Sequence, residues 1–400
     1  MLSFIKHNYI PFLSLFVIFF DEIFNTVILL LGITTVEGIK QYQAILLFII
    51  VAPIMALDMI AGRWNKWTRQ VVFVCFAILG LYTLTPLFYG APPSFYFTYL
   101  YCYVAECIPA AYIGSLLAKS PYIERVNVWL PFLLIPVTLI IGTVGFSAAM
   151  VGEVVGQDEN SGALSYHTLS YMMAFSYSYS CYMCFFGGLK KTTYSRILKI
   201  ILFATMLFSL LVCLLGGGRG AFLLIIVVSL FLFFFYFFNS SSNSVIIKSA
   251  IVCSIVIIIV FFAILNFDLM ESSGISRLQN RLTYDEARAS LYNEAFEIFY
   301  SSPIWGNGLG SIWWTMGIYS HNMILDLLAE TGLLGTSVFT MILLRTIFCS
   351  LKLSRVSPIC LLMLIVLIGC LVSDSFSGYW IGSIKLFFVG SFVHCKYCMT

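Results

Sequence analysis

Charge is scarce in this sequence. Of its 400 residues, 10% are Asp, Glu, Lys or Arg, and 61% are hydrophobic. A soluble domain has no single core able to absorb that much apolar side chain, so a water-soluble fold is excluded. Alternating ten-residue segments are also missing, which excludes an outer-membrane type of barrel. No small-x-small cleavage site follows the first apolar run, so that run reads as an uncleaved helix rather than a signal peptide. No internal repeat is visible. Gly306-x-Gly308-x-Gly310 lacks the GxGxxG spacing of a dinucleotide fingerprint and follows a helix. The net charge of +3 says little, and no nucleic-acid partner is expected. Cysteine is plentiful at twelve, but nearly all lie in apolar runs. No further ligands complete Cys181-x-x-Cys184 or Cys395-x-x-Cys398, so no metal site is expected and small apolar packing is the default.

What is present is a series of apolar runs near the length of a bilayer crossing. Twelve spans are expected, at about 10–32, 43–60, 70–88, 94–117, 127–148, 164–188, 197–216, 219–238, 248–267, 321–344, 356–373 and 378–394. With the N-terminus in the cytoplasm, fifteen of the 21 Lys and Arg residues fall on the cytoplasmic side. That is the bias of an inner-membrane protein with both ends inside. The expected fold is therefore an all-α polytopic membrane protein of about 12 transmembrane helices, forming a single domain.

One external loop, about 268–320, is much longer than the others. Thr283 and Glu286 have capping-box spacing, with Thr283 at the N-cap. Leu291, Ala295, Phe296 and Phe299 then predict an amphipathic helix lying at the membrane surface or over a cavity, ended by Ser302-Pro303.

Three groups of residues carry the polar chemistry. Gly216, Gly217, Gly218, Arg219 and Gly220 form a short external turn. Glycines there let backbone N–H groups approach an anion, and arginine adds a permanent charge with a planar fork suited to phosphate. The plainer alternative is a tight turn whose arginine reaches to lipid headgroups. Arg277, Arg281 and Arg288 stand out because basic residues are rare outside. They bind an anion or make salt bridges with Asp285, Glu286, Glu294 and Glu297. The stretch Trp305–Gly335 is the third. Trp305, Trp313, Trp314 and Tyr319 suit an interfacial belt or a sugar-stacking surface. His321 and Asn322 open a span, and Asn322, Asp326 and Glu330 follow at spacings of four, along one helix face. Carboxylates in a span default to a functional or paired role, and histidine exchanges a proton near neutral pH. Asp21, Glu22, Glu106 and Lys385 are also expected within the membrane, where an ion pair is the least costly way to keep them; this is read as structural. His167, near the external end of its span, is a weaker candidate for the same cavity.

Together these residues resemble the O-antigen ligase and polymerase superfamily. The resemblance rests on Arg219-Gly220, Arg288, Ser302-Pro303 with Gly306 and Gly308, and His321-Asn322 with Leu325, Glu330, Gly332 and Gly335. It covers about residues 216–335, and the twelve-span layout fits it. The glycine run before Arg219 departs from the polar residue often found there. The resemblance implies a GT-C-like, metal-independent, inverting glycosyltransferase without a cofactor, acting on the periplasmic face of the bacterial inner membrane. Its donor would be an oligosaccharide on undecaprenyl diphosphate, its surroundings membrane lipid, and a chain-length regulator its partner. Arg219 and Arg288 would hold the diphosphate, with Gly217, Gly218, Gly220 and Arg281 beside them. His321 would act as base toward the acceptor hydroxyl, or orient it. Glu330, Asn322 and Asp326 would support the histidine or the acceptor. Polymerase leads over ligase because the composition, heavy in Phe, Ile, Tyr and Ser, is typical of repeat-unit clusters. A lipid-linked glycan flippase is the alternative from another class; the long loop and missing repeat weigh against it.

Overall fold

The computed structural model describes residues 2–31, 39–89, 101, 103–150, 166–186, 193–216, 219–239, 281–377 and 383–400. All regular structure among these residues is helical. The helices are α1 (Leu2–Ile18), α2 (Phe20–Leu30), α3 (Ile39–Ile60), α4 (Lys66–Tyr89), α5 (Ile108–Lys119, preceded by one π turn), α6 (Arg125–Met150), α7 (Tyr166–Phe185), α8 (Thr193–Gly216), α9 (Arg219–Asn239), α10 (Arg281–Ser301), α11 (Ser311–Met316), α12 (Met323–Ser354), α13 (Pro358–Ser377) and α14 (Ile384–Met399).

Eleven of the twelve expected spans overlap these helices, though 94–117 is described only at 101 and 103–117 and 378–394 only from 383; the span at 248–267 lies outside the described residues. Among the described residues, α6, α8 and α12 contain segments long and apolar enough to cross a membrane alone. The first expected span is a bent pair, with α1 and α2 meeting at 76°. Shorter apolar helices occur at Ala44–Ile60, Gly220–Phe235 and Pro358–Ser373. The protein is an all-α polytopic membrane protein.

Two helices form the centre. In α13 every residue from Ile359 to Leu367 is buried, and in α7 so is all but Tyr171 from Leu169 to Met183. A helix apolar or small on every side is one surrounded by others. Tyr177 and Ser229 hydroxyls, 2.9 Å apart, tie α7 to α9. Around this centre, α5 crosses α14 closely. A Cβ on Gly114 would collide with the Phe388 carbonyl, so glycine sets the approach of the two backbones. The expected intramembrane pair is present. Lys385 Nζ lies 2.7 Å from Glu22 Oε1 and 4.1 Å from the Phe175 ring centroid, with both charged residues buried.

Side-chain contacts gather one set of helix ends. The Arg125 guanidinium and Trp129 indole both donate to Asn8 Oδ1. The Tyr182 hydroxyl bridges Asn127 Oδ1 and the Pro358 carbonyl. Ser357 donates to Glu124, and the Cys184 thiol contacts the Lys199 carbonyl. The starts of α1, α6, α8 and α13 and the end of α7 thus share one end of the bundle. The end of α12 joins them through the short link from Ser354 to Pro358. At 1.5 Å per residue, α8 spans roughly 36 Å. It packs along α7, so the end of α8 and the start of α9 lie at the opposite end. The start of α12 lies there too.

Candidate active site

The site is built on a broken helix. Within α12, Gly332 has φ 62° and ψ −171°, a conformation essentially confined to glycine. The break divides α12 into a short segment before it and a long one after. Residues 303–308 dock across this break. Asn307 N–H donates to the Ala329 carbonyl (2.9 Å) and Gly308 N–H to the Glu330 carbonyl (3.0 Å). On the far side, Leu333 N–H donates to the Pro303 carbonyl (2.9 Å) and Leu334 N–H to the Ile304 carbonyl (3.2 Å). The break thus frees backbone groups that a loop then satisfies, the requirement for irregular structure at membrane depth. Gly306 and Gly332 face each other so closely that a Cβ on either would overlap the other strand's backbone. This glycine-rich stretch is therefore a fixed clasp, with positive φ at Gly306, Gly308 and Gly310.

Asn307 adds side-chain bonds. Its amide donates to the Ala329 carbonyl at 3.3 Å and to the Ile298 carbonyl, and its Oδ1 accepts from Ser301 at 2.8 Å. It thereby ties α10 to α12. An apolar cluster of Ala295, Ile312, Leu325 and Ala329 seals the same junction.

The helix carrying the loop arginines differs from its sequence expectation in two ways. It begins at Arg281, so Thr283 lies within the helix and not at its N-cap. Ser/Thr-x-x-Glu spacing also occurs inside helices, and here the chain enters helix earlier. Arg281 and Arg288 consequently sit on one continuous helix, seven residues apart. The packed face is Tyr292, Ala295, Ile298 and Phe299, whereas Phe296 is exposed. Arg277, Ser272–Gly274, Gly217 and Gly218 lie outside the described residues, as do the side chains of Arg219, Arg281, Arg288 and His167. Arg219 is the first residue of α9, and Gly220 is buried.

His321 sits where the clasp meets the long helix. Its φ is 57°, the only positive value at a non-glycine among the described residues, and it is half-buried. On one side, Asn322 caps α12, its Oδ1 accepting from the N–H groups of Ile324 (3.0 Å) and Leu325 (3.3 Å). Asparagine at an N-cap satisfies donors that have no partner within the helix. On the other side, the buried Ser320 hydroxyl donates to Asp326 Oδ1 at 2.5 Å and accepts from Asn322 N–H at 3.1 Å. Asp326 is 1% exposed, and its Oδ2 has no hydrogen-bond partner among the described residues. Glu330 is buried one turn further along. Trp313 and Tyr319 rings lie 4.9 Å apart beside this strip. Sequence reasoning missed Ser320, Asn307 and the helix break at Gly332. Ser320 carried a weak signal, two residues before a capping asparagine.

The structure therefore places His321, Asn322, Asp326 and Glu330 on the segment that Asn307 and the Ala295–Ala329 cluster join to α10. It places the start of α9, hence Arg219, at the same end of the bundle, with α9 and α12 both packed against α13. A half-buried imidazole and two buried carboxylates thus lie at the end of the bundle where α9, whose first residue is Arg219, begins. Residues 204–340 match the family model described as O-antigen ligase, which supports the O-antigen ligase/polymerase superfamily and does not separate its two activities. The match spans the end of α8 through the clasp, and so covers Arg219 and His321 together. A search of curated proteins finds no match. The family acts by glycosyl transfer on lipid-linked polysaccharide substrates in a membrane.

Proposed function

We propose that the protein is an O-antigen polymerase. It transfers a growing glycan from undecaprenyl diphosphate to the next lipid-linked repeat unit, on the periplasmic face of the inner membrane. The family match over residues 204–340 supports glycosyl transfer of this kind, and the preference for polymerase over ligase rests on a composition heavy in Phe, Ile, Tyr and Ser. The end of the bundle opposite the site collects Arg63, Lys66, Arg69, Arg125, Lys352 and Arg355. That charge asymmetry supports a cytoplasmic assignment for it, and a periplasmic one for the site.

In this reading the acceptor hydroxyl attacks the anomeric carbon from the face opposite the diphosphate. The new C–O bond forms as the bond to the phosphate oxygen breaks, which inverts the configuration. His321 takes the hydroxyl proton. Arg219 and Arg288 stabilise the charge gathering on the departing lipid diphosphate, with Arg281 and the backbone of Gly217, Gly218 and Gly220 beside it. Asp326 holds the Ser320–Asn322 turn and so fixes the His321 backbone, while Glu330 stands on the acceptor side.

The second reading, which the family match leaves equally open, is ligation of the glycan to lipid A-core. Deleting the gene in its own bacterium and running the glycolipids on a gel separates the two. Loss of a polymerase leaves core carrying one repeat unit. Loss of a ligase leaves bare core while lipid-linked chains accumulate. Unchanged long-chain bands contradict both, and a defect in moving lipid-linked units across the membrane instead selects a flippase. Cysteine labelling that placed residues 268–320 in the cytoplasm would invert the topology and remove the mechanism.

A further inference from the structure

A groove of about 480 Å³ runs between α4, the second half of α12 and α14. Its walls are apolar, with Phe73, Val74, Ile342, Leu343, Leu386 and Phe387 among them. Gly390 opens its side: an added Cβ there would meet no atom within 4 Å. Polarity is confined to one end. There His394 Nε2 lies 3.4 Å from Gln70 Oε1. Arg345 is exposed on α12, close enough to His394 to act on it electrostatically. Just beyond stand Lys66 and Lys352, each over an aromatic ring, Trp67 at 5.2 Å and Tyr397 at 5.4 Å. No Asp or Glu lines the groove.

We propose that this groove binds an anionic glycerophospholipid, one acyl chain lying along Phe73, Leu343 and Gly390 and the headgroup phosphate on Arg345. The volume is that of a site for one small molecule or chain. The fixed charge at the polar end is that of Arg345, a cation with no lining carboxylate beside it, which complements an anionic headgroup and gives nothing in particular to a neutral one. Trp67 and Tyr397 stand at that end, as aromatic residues do at headgroup level. It is also the end that gathers the basic residues, as in a helix bundle facing an anionic leaflet. The groove's lining on α12 begins at Phe339, beyond the clasp, and includes none of the proposed site residues, so the inference does not rest on the transfer reaction.

The test is thermal unfolding of the full chain in mild detergent, titrated with dioleoylphosphatidylglycerol, dioleoylphosphatidylcholine or inorganic phosphate. Phosphatidylglycerol alone should raise the unfolding temperature, and saturably. Arg345→Ala should raise its half-saturating concentration about fivefold, the effect of one basic residue at an anionic lipid surface. Gly390→Leu, which fills the groove, should abolish the response. Arg345 is exposed, so its variant decides the matter even where Gly390→Leu disturbs packing. An equal response to phosphatidylcholine, a response to phosphate alone, or an unchanged phosphatidylglycerol titration in Arg345→Ala overturns the proposal.

Discussion

Gly332→Ala probes the clasp where the structure gives the most to calculate. At φ 62° and ψ −171° an L-residue is in a region essentially reserved for glycine, at a cost of about 1–3 kcal/mol. The added Cβ also overlaps the Ile304 carbonyl and the Gly306 nitrogen. Relief requires the two strands to part, which endangers the four backbone bonds joining 303–308 to 329–334. Losing one or two of them adds about 1 kcal/mol each. The sum, about 2–5 kcal/mol, is charged against local opening of the clasp rather than global unfolding. Amide hydrogen exchange reads this directly, because protection follows the free energy of local opening. The N–H groups of Asn307, Gly308, Leu333 and Leu334 should exchange roughly thirty- to several-thousand-fold faster, at tenfold per 1.4 kcal/mol. Gly317→Ala is the control. Its φ of 73° is similar, but an added Cβ meets nothing within 4 Å. It should cost about 1–2 kcal/mol in its own turn and leave the clasp amides unchanged. Wild-type exchange at those amides in Gly332→Ala would refute the reasoning.

His321→Gly should relieve the left-handed backbone, leaving the unfolding temperature unchanged or higher while glycan assembly stops; a destabilised but active variant contradicts this. Ser320→Ala removes the hydroxyl donor of a buried carboxylate and the acceptor of the Asn322 N–H, and should cost about 1–3 kcal/mol in thermal unfolding. Lys385→Met leaves Glu22 buried and should cost about 3–5 kcal/mol, whereas Glu22→Gln with Lys385→Met should recover most of that loss. A single variant as stable as the double one would show the pair to be unnecessary.

Hydropathy made the helices legible, because crossing length and apolar composition are local properties. Partner choice was not local. Glu22 and Lys385 were identifiable as intramembrane charges, yet they are 363 positions apart, and only the fold shows that they meet. The bend at Phe19 has no proline or glycine beside it to announce it. Gly332 was legible only as a position of the motif that carries the resemblance; its role depends on the loop at 303–308, which completes the hydrogen bonding around the break. Thr283 misled because a capping spacing does not say where the backbone first turns. By contrast, Asn322, Asp326 and Glu330 were legible as a stripe, since a spacing of four is fixed by helix geometry. What their spacing left open was division of labour: Asn322 caps, and Asp326 holds Ser320.

The most direct measurement is the glycolipid ladder of the deletion strain complemented with Arg219→Ala or His321→Ala, each verified to reach the membrane at wild-type level. Loss of long-chain bands in both, with core bearing a single repeat unit, is the expected result. A normal ladder from either variant would contradict a site made of the α9 arginine and the clasp histidine.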